Sequence, residues 1–187
     1  MDNLVEAEVK IEISNSEFTR LKTDGSLEKL GFTFSGEEHI VDTYISYEKS
    51  PYGGWDFIRL RKTNNIFFQT RKYWEKDKEG SKVRFEEEEE INEDSYIKNL
   101  STGYVLQFEK IRHNYAGTVE NNKAHFSIDI LKLSDQERYF FEGEVLTTPD
   151  ESKKIRAAIC SIWWNKLNLE QRNEAPSMLE IFGHVLK

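Results

Sequence analysis

The sequence predicts an α+β protein in which a closed or nearly closed eight-stranded antiparallel β-barrel forms a tunnel, with helices packed outside it. Near the N-terminus, residues 5–13 alternate apolar and charged side chains, and a similar alternation returns near residues 140–145. A strand points successive side chains to opposite faces, so such a run has one apolar and one charged face. Eight mostly sequential strand-like runs, interrupted by few helical ones, favour one antiparallel sheet closed on itself.

The first two elements are a strand and a helix. The strand is predicted at residues 4–13, and the helix is predicted from about Ser16 to Leu30. Ser14 and Glu17 have the spacing of a capping box at the start of this helix. Gly31 is a typical residue just beyond a helix end.

The remaining elements are mostly strands. Seven more are predicted, near residues 37–48, 55–63, 65–74, 82–92, 104–117, 123–133 and 138–147. Asn64-Asn65 is typical of a tight turn between two of them. A short helix is predicted at about residues 93–102. Thr148-Pro149 begins a longer helix that runs to about Leu169, and Ser177 caps a last short one.

The position of the helices decides which face of the barrel points inward. Amphipathic helices need an apolar surface to cover, so helices outside the barrel leave the charged faces inside. The interior is then a tunnel lined by carboxylates and cations. Burying unpaired ions costs several kcal/mol each. The lining is therefore expected to stay wet, to pair its opposite charges, or to hold a metal and an anion.

Composition limits the classes of partner. A chain of 187 residues is most simply a single domain over residues 1–187, and its 13% aromatic content argues against disorder despite 32% charged residues. A net charge of −8 argues against nucleic acid and anionic membranes, but not against a small polyanion in a local cationic pocket. With no membrane-length apolar run, no visible secretory signal and one cysteine, Cys160, a cytoplasmic location is expected.

Short motifs in a fixed order give the chain its family resemblance. The sequence resembles the CYTH superfamily, also called triphosphate tunnel metalloenzymes. The motifs that carry this resemblance are Glu6-Ala7-Glu8-Val9-Lys10, Asp42-Thr43-Tyr44, Arg59-Leu60-Arg61, Thr70-Arg71-Lys72, Arg84-Phe85-Glu86, Glu109-Lys110-Ile111-Arg112, Ser127-Ile128-Asp129 and Phe140-Phe141-Glu142-Gly143-Glu144. No single motif is specific, but their order over most of the chain is.

The resemblance implies a metal beside a bound triphosphate. Triphosphate binding needs convergent cations, preferably Arg forks, and the predicted substrate-binding residues are Lys10, Arg59, Arg61, Lys72, Arg84, Lys110 and Arg112. Mg²⁺ or Mn²⁺ needs oxygen ligands, and the predicted metal ligands are Glu6, Glu8, Glu86, Asp129, Glu142 and Glu144. The predicted catalytic residues are Glu142, Glu144 and Lys72. Arg71 is the alternative to Lys72 as the inward-facing cation, and the general base is left open.

The leading functional prediction is a metal-dependent triphosphatase acting on inorganic triphosphate or a small organic triphosphate such as thiamine triphosphate. The alternatives are a class IV adenylate cyclase and a non-catalytic module that binds polyphosphate or a nucleotide. Either a monomer or a homodimer is compatible with the sequence. The four histidines do not have a metal-ligand spacing and are expected to form local hydrogen bonds or lie at the surface. Cys160 and Trp163 are expected to pack on the apolar side of a helix.

Overall fold

The computed structural model describes residues 4–52, 55–76, 82–133, 136–176 and 178–183. The strands are β1 Val5–Ile13, β2 Thr33–Lys49, β3 Trp55–Thr63, β4 Ile66–Lys76, β5 Lys82–Ile91, β6 Leu106–Val119, β7 Asn122–Lys132 and β8 Glu137–Thr147. The helices are α1 Asn15–Thr23, α2 Ser26–Lys29, α3 Glu93–Leu100, α4 Pro149–Ser161 and α5 Met178–Gly183. No described helix has the length and apolar character needed to cross a membrane.

The strands form one sheet whose hydrogen-bonded order is β1-β8-β7-β6-β2-β3-β4-β5. The pairing is antiparallel in β1–β8, β2–β3, β3–β4, β4–β5, β6–β7 and β7–β8. The predicted fold class, α+β with eight antiparallel strands and helices, is therefore confirmed. The chain divides into two compact units: a first unit of Met1–Glu38 and Lys110–Ala175, and a second unit of His39–Glu109 and Pro176–Lys187.

The predicted single helix at residues 16–30 is wrong in one respect, because the structure has two helices there. The capping box is present, with the Ser14 hydroxyl accepting from the Glu17 N–H and the Glu17 carboxylate accepting from the Ser14 N–H. The break falls at Gly25, whose φ of 65° lies in the left-handed region that favours glycine. The Asp24 side chain accepts from the Ser26 N–H and so starts α2.

The predicted turn between β3 and β4 is confirmed. Asn64 and Asn65 have φ angles of 47° and 65°, as a two-residue type I′ hairpin requires. The same geometry recurs between β6 and β7, where Glu120 and Asn121 have φ angles of 49° and 65°. These turns fix the registers of the strand pairs that carry Arg59 and Arg112.

The helix after β8 begins as predicted but ends earlier. Thr148 is the N-cap and Pro149 is the first helical residue. The α-helix ends at Ser161, and a π-helical turn follows over Ile162–Lys166. Asn168, with a φ of 49°, then takes the chain out of the helical conformation before the predicted end at Leu169. The predicted cap at Ser177 lies outside the described residues.

In the first unit the helices cover the apolar face of the sheet. One buried cluster combines side chains of β1, β7 and β8 with those of α1, α2 and α4. Trp163 is fully buried and stacks on Phe141 with ring centroids 4.8 Å apart. Because successive strand residues alternate, this packing places the charged side chains of β1 and β8 on the opposite face.

The second unit has a smaller apolar cluster of Leu60, Phe67 and Tyr96, the last of which belongs to α3. Phe67 and Tyr96 have ring centroids 4.7 Å apart. Leu60 is fully buried between Arg59 and Arg61 in sequence. The two arginines therefore lie on the opposite face of β3 from this cluster.

Candidate functional site

The charged face of the first unit is built by the register of four strands. Glu8 of β1 lies opposite Glu144 of β8, and Lys10 lies opposite Glu142. Across β7, Glu142 lies opposite Ser127. Four distant segments of the chain therefore contribute to one patch, because β6 joins it through the pairing of Arg112 with Asp129.

A buried network of ion pairs connects this patch. Arg112 donates from Nε to Asp129 Oδ1 at 2.7 Å and from Nη2 to Asp129 Oδ2 at 2.8 Å, which is the bidentate geometry that guanidinium favours. The same Nη2 donates to Glu142 Oε2 at 2.7 Å. Lys110 Nζ donates to Asp129 Oδ2 at 2.7 Å, and Lys10 Nζ lies 3.6 Å from Glu142 Oε2. Arg112 thus connects the two buried carboxylates.

The ion pairs keep these groups charged despite their burial. Burial alone would lower the pKa of the Lys10 ammonium, but the carboxylates of Glu142, Asp129 and Glu8 raise it above its ordinary value. Burial alone would raise the pKa of the Glu142 carboxyl, but Lys10 and Arg112 hold it well below its usual range. Arg112 and Lys110 likewise lower the pKa of Asp129 against the effect of burial. The face therefore presents fixed charges of both signs.

Three of these carboxylates are close enough to share an ion. One oxygen from each of Glu8, Glu142 and Glu144 lies within 4.8 Å of the others. Opposite ligands of an octahedral Mg²⁺ are about 4 Å apart, and hard divalent cations take oxygen donors. Like charges directly opposite each other on a sheet repel, so a cation between Glu8 and Glu144 would relieve that repulsion. The three carboxylates therefore fit a hard divalent cation.

The backbone explains why these pairs approach closely. The carbonyls of Glu8, Lys10 and Glu12 accept hydrogen bonds from Arg156, the Ala175 N–H and Arg172, respectively, and so point away from β8. Residues that direct their backbone groups away from the partner strand form non-hydrogen-bonded pairs, in which Cα atoms are about 4.5 Å apart. The Glu8–Glu144 and Lys10–Glu142 pairs are therefore of the closer type.

Two predicted metal ligands of the first unit lie outside this group of three. Glu6 is exposed and lies opposite Leu146, one pair further along β1 on the same face. Asp129 is fully buried and held by Lys110 and Arg112, so its observed partners are cations of the protein. Ligation of a metal by either residue stays a prediction.

The second unit has a charged face of its own, centred on β3. Arg61 donates from Nε and Nη2 to the two oxygens of Asp42 at 2.7 and 3.0 Å, and Arg59 Nε lies 3.8 Å from Asp42 Oδ1. Asp42 is 1% exposed. Its partners in the structure are the two arginines of β3. Its charge aligns two arginine forks on one face.

Strands β4 and β5 complete this second face. Arg59 Nη2 donates to the Thr70 hydroxyl at 3.0 Å and to Glu88 Oε2 at 3.4 Å. Lys72 forms an ion pair with Glu86, which also lies 3.8 Å from Arg59. Lys72 shares the phase of Thr70 along β4, whereas Arg71 is exposed and lies over the Tyr73 ring on the other face. Of the two alternatives, Lys72 is thus the residue on the face of Arg59.

Arg84 is a predicted phosphate-binding residue of which the structure describes the backbone alone. Its backbone lies in β5 opposite Trp74, but its side chain lies outside the described part of the structure. Its role stays a prediction.

Three polar residues on the face of the first unit were not predicted to belong to the site. His125 Nε2 lies 3.0 Å from Asn114 Oδ1, and His125 Nδ1 lies 3.6 Å from Glu144 Oε2. Ser127 lies between Glu142 and Asn114 in the strand registers. The alternation of strand side chains could have identified them. His125 and Ser127 lie on the same face of β7 as Asp129, and Asn114 lies on the same face of β6 as Arg112. The local hydrogen bond expected for His125 is observed.

A family model described as the CYTH domain matches residues 4–173. None of the curated proteins matches this chain at a significant level.

Several solved structures share the fold. The PH1012 protein of Pyrococcus horikoshii is 25% identical with a TM-score of 0.65, over 93% of this chain and 96% of that one. A putative adenylyl cyclase from Hippeastrum, described as revealing a dominant triphosphatase activity, is 15% identical with a TM-score of 0.64, over 95% of both chains. A putative adenylate cyclase from Bacillus halodurans is 14% identical with a TM-score of 0.58, over 97% of this chain and 99% of that one.

Proposed function

Since this chain belongs to the CYTH family, we propose that it is a metal-dependent hydrolase of triphosphates, acting on inorganic triphosphate or a small organic triphosphate such as thiamine triphosphate. One observation carries the proposal: three carboxylates within 4.8 Å of one another lie on the same face as Lys10 and Arg112. A divalent cation and a polyanion need these two kinds of side chain side by side.

The carboxylates would hold Mg²⁺ or Mn²⁺ at Glu8, Glu142 and Glu144. When bound, the ion supplies Lewis-acid polarisation of a phosphoryl oxygen. Lys10 and Arg112 would bind phosphate oxygens and stabilise the charge that develops during transfer. Arg112 keeps a fixed orientation because Asp129 holds two of its donors, so its guanidinium needs little reorganisation when substrate binds.

The cations of the second unit support the same chemistry. Arg59, Arg61 and Lys72 would bind phosphate oxygens, because two forks and a point charge on one face suit a polyphosphate. Glu86, which was predicted as a metal ligand, forms an ion pair with Lys72. Its part in metal binding remains a proposal.

The test is phosphate release from tripolyphosphate in the presence of Mg²⁺ or Mn²⁺ over a broad pH range. The wild-type chain is expected to release phosphate, and chelation of the metal is expected to stop it. Glu142→Gln removes the carboxylate charge that Lys10 and Arg112 contact and is expected to lower kcat at least a hundredfold. Glu137→Gln alters an exposed carboxylate at the start of the same strand and should leave kcat unchanged. No phosphate release by the wild type would exclude this function.

Adenylate cyclase activity is the second candidate, and the likeness to the Bacillus halodurans putative adenylate cyclase favours it. Incubation with ATP and analysis for cyclic AMP separates cyclisation from hydrolysis.

A binding module without turnover is the third candidate. Tight tripolyphosphate binding without phosphate release, unchanged by Glu142→Gln, would favour it. A cytoplasmic location, a single domain and a monomeric or homodimeric state remain predictions.

A further inference from the structure

The hydroxyl of Ser127 lacks a hydrogen-bond partner among the described residues. Ser127 is 1% exposed, so bulk water cannot supply one. A buried hydroxyl without a partner loses the hydrogen bonds that it makes to water in the unfolded chain, and such groups are uncommon in folded proteins. An unsatisfied hydroxyl in a charged face suggests that a ligand completes it.

Ser127 occupies the centre of the charged face of the first unit. On β7 it lies opposite Glu142 of β8 on one side and opposite Asn114 of β6 on the other. Two residues away in either direction, and therefore on the same face, are His125 and Asp129. Serine is smaller than any of these four neighbours, whose polar side chains extend further from the sheet.

The neighbouring polar groups already have partners. Asn114 Oδ1 contacts the His125 ring, and Asp129 is held by Lys110 and Arg112. Glu142 contacts Arg112 and Lys10. A ligand on this face is consequently a simpler partner for the Ser127 hydroxyl than a rearrangement of these contacts.

We propose that Ser127 supplies a neutral oxygen donor to the divalent-cation site formed by Glu8, Glu142 and Glu144. This inference rests on the proposed function, because it assigns a further residue to the same site. A hard divalent cation accepts hydroxyl oxygen beside carboxylates. A neutral donor also adds a ligand without adding a fourth negative charge to a partly buried cluster.

The primary test measures Mn²⁺ binding in the absence of substrate, by the loss of the free-ion electron paramagnetic resonance signal on titration. Ser127→Ala is expected to weaken Mn²⁺ binding about tenfold, the lower end of the effect of altering the surroundings of a metal ligand. Its thermal stability should be unchanged or higher, because the substitution removes an unsatisfied hydroxyl. Unchanged Mn²⁺ affinity in folded Ser127→Ala would overturn the inference.

The matched control is Thr63→Val. Thr63, in the second unit, is also buried, and its hydroxyl has no hydrogen-bond partner within residues 4–52, 55–76, 82–133, 136–176 and 178–183. It lies opposite Ile40 and Ile66. The Thr63→Val variant should bind Mn²⁺ with the affinity of the wild type. An equal loss of affinity in both variants would mean that any buried hydroxyl matters, and would contradict a specific role for Ser127.

A second variant tests proximity directly. Ser127→Cys places a thiol at the proposed donor, and Cd²⁺ should then give a sulfur-to-metal charge-transfer absorption that the wild type, whose single cysteine is Cys160, does not show. A folded Ser127→Cys without this absorption would exclude direct donation. If the wild-type chain binds no Mn²⁺, both this inference and the proposed function are overturned. If the wild type binds Mn²⁺ and hydrolyses tripolyphosphate, but Ser127→Ala binds Mn²⁺ with the same affinity, only this inference is overturned.

Discussion

At the residue scale, opposite charges on the first unit's face stabilise one another. Arg112 contacts both Asp129 and Glu142, and its own pKa is raised because those carboxylates outweigh the effect of its burial. Removing one partner of a buried ion pair leaves an uncompensated charge, which costs about 3–5 kcal/mol. Substitutions here are therefore expected to affect stability as well as activity, and the two need separate measurement.

Lys72 and Arg71 provide a paired prediction, because they are adjacent cations on opposite faces of β4. Lys72→Ala should raise the KM for tripolyphosphate about tenfold, since it removes a point charge from the face of Arg59 and Arg61. Arg71→Ala should leave the KM within about twofold, because its side chain is exposed and lies over Tyr73. Steady-state phosphate release measures both. A larger effect of Arg71→Ala than of Lys72→Ala would contradict the assignment.

At the element scale, α4 and the segment after it cover the free edge of β1. Arg156, Arg172 and the Ala175 N–H donate to three alternate carbonyls of this strand. An uncovered edge strand exposes unpaired backbone groups that can recruit other strands. Together, α4 and this segment satisfy three of these groups and help to fix the strand that carries Glu8 and Lys10.

Glu17 connects this segment to α1 and gives a pH prediction. Partial burial would raise the pKa of its carboxyl, but hydrogen bonds from Ser14 and Arg172 lower it from 4.5 to about 2. A lowered pKa in the folded state contributes stability that is complete above about pH 4.5 and is lost as the pH falls towards 2.

Glu17→Gln is therefore expected to reduce the free energy of unfolding by about 1–3 kcal/mol at pH 7, and the difference from wild type should shrink below pH 4.5. Urea unfolding at a series of pH values measures it. Glu170→Gln alters an exposed carboxylate that also contacts Arg172 and should change the free energy by less than about 0.5 kcal/mol. A difference between Glu17→Gln and wild type that is constant with pH would refute the role of the charge.

The docking of α4 on β8 depends on Gly143. A Cβ added there would lie 2.9 Å from Ile159 Cγ2 and 3.0 Å from atoms of Phe126 and Trp163. Gly143→Ala should therefore destabilise the protein by about 1–3 kcal/mol through overpacking. Urea unfolding again provides the measurement, with Ala157→Ser on the exposed side of α4 as the control. Equal stability of Gly143→Ala and wild type would show that the interface can relax.

At the scale of the whole molecule, a bound cation should stabilise the folded chain. A ligand at 100 times its Kd adds about 2.7 kcal/mol, which corresponds to about 5–10 °C in Tm for a chain of this size. Mn²⁺ should therefore raise the Tm of the wild type and of Glu137→Gln. It should raise the Tm of Glu144→Gln much less. Differential scanning calorimetry with and without Mn²⁺ measures the shift. The same shift in Glu144→Gln would argue against a cation held by this carboxylate.

Local sequence patterns predicted the eight strands and their charged faces, but not the break at Gly25 between α1 and α2. The period of two assigned Glu8, Lys10, Glu142 and Glu144 to a charged face, because adjacent side chains of a strand must point in opposite directions. The same rule predicted Arg59 and Arg61 on one face of β3. Local turn and cap signals at Asn64-Asn65 and Thr148-Pro149 were sufficient because they depend only on neighbouring residues.

Which charges meet depends on how distant strands pair. Register brought Glu8 opposite Glu144, placed Asp129 between two cations and left the Ser127 hydroxyl buried without a hydrogen-bond partner in the described part of the chain. These outcomes depend on hydrogen bonds between strands that are distant in sequence, and shifting one strand by a single residue would reverse its faces. A local pattern gives the direction of a side chain, whereas its partners and its burial follow from how distant strands align.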